Sequence, residues 1–326
     1  MSHFPVLVIG PLENLEASLA PFQENNMGTC PRQYMEFYDQ EDELLDEYNT
    51  GATERVVMPD GSYKKTWDDE FRKPGTFGIG SDTHEVPAHL ETREVPYKEL
   101  YPTFEEFVQG YHGYESRDEE TGRYGHWENP NRKWDWYQVG GRWTGFFKLK
   151  EGAMGELGRR GLFGRAAEPG YADACRIGNI DVEGMRVDAV AEATERYDLF
   201  HTILAGRPFT KFEDLVTQNS GNYEAARRAY WSNPVMEDLR GASDTLGHFD
   251  YEQYMVNRDI FLEQARDSAL VTFAVLKDGI WYEQGKMGWW GMVADEKDKG
   301  EWSRQFAALF DSLPPETEVA VVDCHI

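Results

Sequence analysis

No apolar run in the chain approaches the ~18 residues that a membrane-spanning helix needs, so no membrane span is expected. Bases are scarce: 33 Lys and Arg stand against 59 Asp and Glu, a formal net charge of −26. Such a field repels phosphate backbones and anionic lipid, so neither general nucleic-acid binding nor a membrane partner is expected. It leaves room for a small local cationic pocket and favours encounter with a basic protein surface. Cysteine is scarce too. Cys30, Cys175 and Cys324 are widely spaced and make no CxxC pair, so neither a disulfide frame nor a zinc cluster is expected. Reduced thiols, together with an opening Met1-Ser2-His3-Phe4-Pro5 unlike a signal peptide, predict a cytoplasmic protein. No internal repeat of roughly 20–50 residues is evident.

What the chain has in abundance is aromatic side chains: ten Trp, 17 Tyr and 18 Phe among 326 residues. These supply a sizeable core of bulky, half-polar groups whose N–H and O–H need partners. The length suits one large domain or two modest ones.

Residues 4–10 form a short apolar run ending in Gly10-Pro11, a buried strand by composition. From Gln33 to Thr53 there are seven acids and no base, and Glu36, Asp39, Glu43 and Asp46 fall at helical spacing. This reads as a solvated acidic helix or, more sharply, as a surface imitating a phosphate track. Pro59-Asp60-Gly61 marks a hairpin turn, and Thr103 with Glu106 has the capping-box spacing for a helix over 102–112. Trp134–Val139 and Arg142–Leu149 are strand candidates separated by Gly140-Gly141, with Trp134, Trp136 and Gln138 sharing one face.

Residues 151–179 show little periodicity and read as a connecting loop, or as an ordered excursion that connects domains or covers a site. Met185, Ala189, Ala193, Tyr197, Phe200 and Leu204 then trace one face of a long helix capped by Asp181 and ended by Gly206. Thr210 with Glu213 repeats the capping-box spacing, Asn222 can open another helix, and residues 250–267 read as one more. Strands return at 270–276, at 280–284 beyond the turn Asp278-Gly279, and at 318–323, with a helix over 300–313. The expected fold class is α+β: a mixed or antiparallel sheet from 1–150 and 269–326, with a helical insertion at 180–268.

The segment Asn129 to Trp143 holds the densest chemistry. Trp134, Trp136 and Trp143 offer stacking faces, Gly140 and Gly141 allow close approach of a ligand, and Arg142 can hold a phosphate or carboxylate. These six are the candidate ligand-binding residues. The alternative is a core strand with a glycine bulge and Arg142 paired to an interior acid such as Asp135 or Asp323. The histidines make no HxxxH or HExxH motif, so no metal is expected. In Asp323-Cys324-His325, neighbouring strand residues point to opposite faces, which argues against a Cys324–His325 nucleophile pair. Gly75–Ser81 is glycine-rich but lacks the phosphate-loop lysine, and Trp289-Trp290 must divide between two faces.

Asn-Pro-Asn-x-Lys-Trp-Asp-Trp-Tyr-x-x-Gly-Gly-Arg-Trp, with the opening His3-Phe4-x-Val6-Leu7-Val8-Ile9-Gly10 and the ending Val322-Asp323-Cys324-His325-Ile326, resembles a family of hypothetical bacteriophage and prophage proteins. The resemblance implies expression inside a bacterium during infection, as a non-structural accessory protein. It carries no established reaction or catalytic residue. The expectation is therefore a protein that binds a host defence component or a nucleotide-like small molecule, with no cofactor. One alternative is an enzyme on a nucleotide or phosphorylated small molecule, using Asp82, His84, Asp135 and Arg142. Another is an acidic nucleic-acid mimic that inhibits a host protein.

Overall fold

The apolar run after Ser2 forms strand β1, His3–Ile9. In the computed structural model, which describes residues 2–73, 83–164, 166–247 and 250–326 without the Trp289 side chain, β1 lies inside a mixed sheet. Its longer strands besides β1 are β2 Trp136–Gly141, β3 Ala174–Arg176, β4 Ala274–Lys277, β5 Ile280–Glu283 and β6 Glu318–His325, and the two-residue strands Gly155–Glu156 and Arg159–Arg160 complete it. β1 pairs in parallel with β4 and antiparallel with β6. The free edge of β6 is shared, β3 occupying residues 318–320 and β2 residues 322–325. β4 turns into β5 through Asp278 (φ 51°) and Gly279 (φ 74°), the double left-handed turn that Asp-Gly favours. The fold is thus α+β, its main sheet built from both ends of the sequence around a central helical region.

Both faces of the sheet are covered, which is why β1 and β6 are apolar at consecutive positions. Leu7, Val319 and Val321 point into a cluster with Met185, Trp302, Phe306 and Phe310. Phe4, Val6, Val8, Val322 and Cys324 point into a second, with Leu19, Phe22 and Trp134.

The long periodic stretch is helix α1, Val182–Leu204, with Asp181 accepting the Gly184 N–H and Ala205 and Gly206 closing it at positive φ. It is followed by α2 Phe212–Gln218, α3 Tyr223–Trp231, α4 Pro234–Gly241, α5 Arg258–Asp267 and α6 Lys299–Asp311. Asn222 caps α3 as expected. Thr210 does not cap α2: Lys211 is at that position and the Glu252 side chain accepts from the Phe212 N–H. Residues 250–267 are not one helix either. A 3-10 segment, Tyr251–Met255, gives way to α5 where Val256 is extended and Asn257 caps the new start.

The chain divides into two compact units, Met1–Cys30 with Asn131–Ile326, and Pro31–Pro130. The second unit interrupts the stretch 1–150 that the sequence groups as one sheet domain. Its core is aromatic, with Tyr97, Phe107 and Tyr124 buried beside Leu44 and Val108. The Thr103–Glu106 capping box is formed in both directions. Strands Ala52–Val57 and Tyr63–Lys65 pair around Asp60-Gly61, as the hairpin signal predicts. The acidic stretch splits: Glu36–Asp39 is a strand paired with Gly125–Glu128, and only Glu41–Thr50 is helical. Alternating Phe37 against Trp127 explains the strand, since these rings meet across the pair at 5.1 Å. Gly75–Ser81 and Asp82 lie outside the described residues.

Candidate functional site

Cross-strand register sets His3 opposite His325 and His325 opposite Trp136. By alternation these side chains share the face that carries Leu7, Val319 and Val321 further along the strands. The face changes from apolar to polar at Asp323, which is 1% exposed.

Each histidine is held by one carboxylate. His3 Nδ1 is 2.8 Å from Asp323 Oδ1, and His325 Nδ1 is 2.6 Å from Asp135 Oδ1. Each carboxylate is held in turn. Asp323 Oδ2 accepts the Arg142 backbone N–H at 2.9 Å. Asp135 accepts the Trp136 N–H at 2.7 Å and the Asn26 side-chain amide at 3.1 Å. A carboxylate against Nδ1 draws the ring proton to that nitrogen and leaves Nε2 as the basic atom. The two imidazoles lie edge to face with centroids 4.8 Å apart. The half-exposed Trp136 indole stacks on His325 at 5.3 Å and meets His3 edge-on.

Glycines make this arrangement fit. Gly140 and Gly141 have φ of 76° and 56°, a region that side-chain-bearing residues rarely enter. A Cβ on Gly141 would stand 2.3 Å from the Asp323 Cβ, and one on Gly140 would stand 2.4 Å from an Asp173 carboxylate oxygen. Asp173 is fully buried and accepts the N–H groups of Gly145, Phe146 and Gly158 at 2.6, 3.2 and 2.8 Å. Residues 151–179 are therefore not a plain connecting loop. Gly155–Glu156 pairs with β3, and Arg159–Arg160 runs parallel to Gly140-Gly141. Glycine recurs at every third position from Gly152 to Gly164. A Cβ at Gly158 or Gly164 would lie 2.1 or 2.6 Å from the backbone oxygen of Val139 or Gly141.

The six candidate ligand-binding residues do not converge on one pocket. β2 begins only at Trp136, so Trp134 turns to the opposite face, where it is buried and its indole N–H donates to the Leu19 carbonyl at 3.2 Å. Trp143 packs, half-buried, against the first core cluster. Gly140, Gly141 and the Arg142 backbone shape the aspartate cradles, and Trp136 covers the histidines. The Arg142 guanidinium is exposed, 5.3 Å from the Phe163 ring. Asp323 is thus bonded by the main chain of residue 142 rather than by its side chain.

Asp135 holds His325, while His84 lies on a short exposed strand of the unit Pro31–Pro130. Cys324 is fully buried on the other face, and burial pushes its thiol well above the ordinary range, with the charges of Asp323 and Asp135 adding to the effect. Burial likewise raises the Cys175 thiol to about 11. Neither is a thiolate nucleophile near neutrality. Among the described residues no group of three or more His, Cys, Asp or Glu is placed to hold a metal ion. Half of the acids of 36–54 are engaged: Arg117 binds Glu41, Arg123 binds Asp39 and Asp42, and His112 meets Glu47.

A cleft of about 620 Å³ opens elsewhere in the same unit, along α1 and α5 beside Glu192, Arg196, Gln264 and Lys299. Among the described residues its lining includes neither histidine nor cysteine, so His3 and His325 are not part of it.

Sequence reasoning weighed Asp323-Cys324-His325 only as a Cys–His pair. Alternation already puts residues 323 and 325 on one face, and His3 has the same parity in the partner strand. That parity was the available signal. Among the described residues no helix is long and apolar enough to cross a membrane. Comparison with protein-family models, curated proteins and solved structures gives no match.

Proposed function

We propose that the His3–Asp323 and His325–Asp135 pairs form a general acid–base site that cleaves a phosphodiester in a nucleotide-like substrate. The observation that carries this reading is the meeting of two carboxylate-held imidazoles at 4.8 Å between centroids, under an indole. Nε2 of one neutral imidazole takes the proton of the attacking hydroxyl or water as its oxygen bonds to phosphorus. The bond from phosphorus to the leaving oxygen breaks, and that oxygen takes a proton from the other ring, an imidazolium. Solvent then restores both rings to their starting states. Division of labour between two positioned proton carriers is worth about 10²–10⁴-fold in rate for each. Trp136 offers a face for a base, the role that the sequence assigns to the aromatic residues of this segment. In an infected bacterium such an activity would remove a nucleotide-like signal, which joins the accessory role implied by the phage resemblance to a reaction.

The test is turnover of linear dinucleotides, cyclic nucleotides and cyclic dinucleotides by the full chain without added metal. His3→Asn and His325→Asn retain an amide N–H for the facing carboxylate while removing the basic nitrogen. Each should fold normally and lose at least about 100-fold in kcat. Absence of turnover in the wild type, or unchanged turnover in both variants, rejects the reading.

A further inference from the structure

The glycine spacing between Gly152 and Gly164 has an outward consequence. From Gly155 to Gly164 every third residue lies against a neighbouring strand, and most of the residues between them project to solvent. Exposed between these glycines are Met154, Glu156, Leu157, Arg159, Arg160, Leu162 and Phe163, and beyond the single acid Glu156 the run holds two arginines and the exposed Leu162 (88%) and Phe163 (74%). Arg142 joins them through its contact with the Phe163 ring. Several other arginines of this acidic protein are ion-paired, Arg117 with Glu41 and Arg258 with Asp198 among them, whereas Arg176, Arg227, Arg228 and Arg304 are scattered singly or in twos without such a partner. Among the described residues, Arg142, Arg159 and Arg160 enter no ion pair. In a chain with net charge −26, this short segment thus carries two guanidinium groups without an acidic partner and an exposed aromatic ring, with Arg142 beside it.

The segment adjoins the proposed site. Arg159 is register partner of Gly140 and Arg160 of Gly141, Gln138 donates to the Arg159 carbonyl, and Gln138 is itself opposite Asp323 in β6. One strand therefore separates the arginines from the His3–Asp323 pair.

We propose that this segment is a binding track for single-stranded nucleic acid, which would make the substrate of the acid–base site an oligonucleotide strand; this identification of the substrate rests on the phosphodiester reading above. Guanidinium groups without an acidic partner hold backbone phosphates through two donors, Arg160 with its terminal nitrogens since its Nε donates to the Gly164 carbonyl at 2.6 Å, and an exposed ring stacks on any base. A duplex presents no free base face to Phe163. The acidic remainder of the surface does not prevent binding, because its field is screened within about 8 Å at physiological salt. It confines binding to the track and disfavours long duplexes that would run onto acidic surface.

Fluorescence anisotropy with a labelled oligothymidylate of about a dozen nucleotides measures this without any reaction. The wild type should bind, and affinity should fall steeply between roughly 50 and 200 mM salt. Arg159→Ala and Arg142→Ala should each weaken binding at least several-fold with a shallower salt dependence, and Phe163→Ala should weaken it with the salt dependence unchanged. Melting temperatures near wild type would show that the fold survives, as these side chains are exposed. No binding by the wild type, affinity insensitive to salt, equal affinity in all three variants, or tighter binding to the matching duplex overturns the proposal. A deoxy strand is read by binding alone, so failure of the cleavage assay leaves this result standing, and failure to bind leaves cleavage of dinucleotides standing.

Discussion

In the unit Pro31–Pro130, Arg117 reaches Glu41 at 2.9 Å and Glu105 at 3.2 Å, and Arg123 reaches Asp39 and Asp42, all with water beside them. In the other unit, Asp173 and Asp323 are excluded from water and bonded by backbone N–H groups and a histidine. Exposed pairs exchange one set of polar partners for another, and salt screens what remains. A buried carboxylate has no such alternative, so each donor aimed at it decides whether the chain around it can fold. The same residue types therefore decorate one unit and organise the other.

Three substitutions would break or sharpen this contrast. Asp323→Ala removes the acceptor of both His3 and the Arg142 N–H, and should cost about 3–5 kcal/mol in urea unfolding. A loss below about 1 kcal/mol would mean that the buried cradle is no different from the exposed pairs. Gly141→Ala tests the cradle without touching a charge. The added methyl meets Asp323 on a backbone that resists side chains, so about 1–3 kcal/mol should be lost. Phosphodiester turnover should fall with it, as His3 loses its alignment, and unchanged melting would show that the strand relaxes freely.

Glu41→Gln belongs to the other side of the comparison and should cost less than about 1 kcal/mol, decreasing with salt. The hydrogen bond from Arg117 holds the Glu41 carboxyl below the ordinary glutamate range, helped by the Tyr124 N–H and outweighing a modest opposing effect of burial. A depressed folded value means that this stability is present above the unfolded value and is lost as pH falls through the folded one. Unfolding free energies of wild type and variant should therefore converge on titrating from about pH 6 towards pH 3. A gap that widens on acidification would contradict the sign.

Much of the fold was legible because its signals are local. Thr103 with Glu106, Asp181, Asp278-Gly279 and the apolar runs of β1 and β6 each announce themselves within a few residues. Thr210 misled because a side chain forty positions away, Glu252, took over the cap. The histidine pairs were hidden for a similar reason. Which acid faces which histidine depends on the register of strands more than 180 positions apart, and His325 finds Asp135 rather than its neighbour Asp323. The glycine spacing was plain in the sequence but passed unnoticed, since a period of three belongs to neither an apolar helix face nor an alternating strand.

The pairing of β1 with β6 sets a schedule as well as a shape. During synthesis His3 emerges 320 positions ahead of its aspartate, and Asp135 has no histidine to hold until β6 docks. Closing so long a loop is an entropic cost met only once the intervening units have ordered, and chains are made at roughly 5–20 residues per second. For that interval the proposed acid–base site is incomplete, and a chain halted before β6 lacks one member of each His–Asp pair.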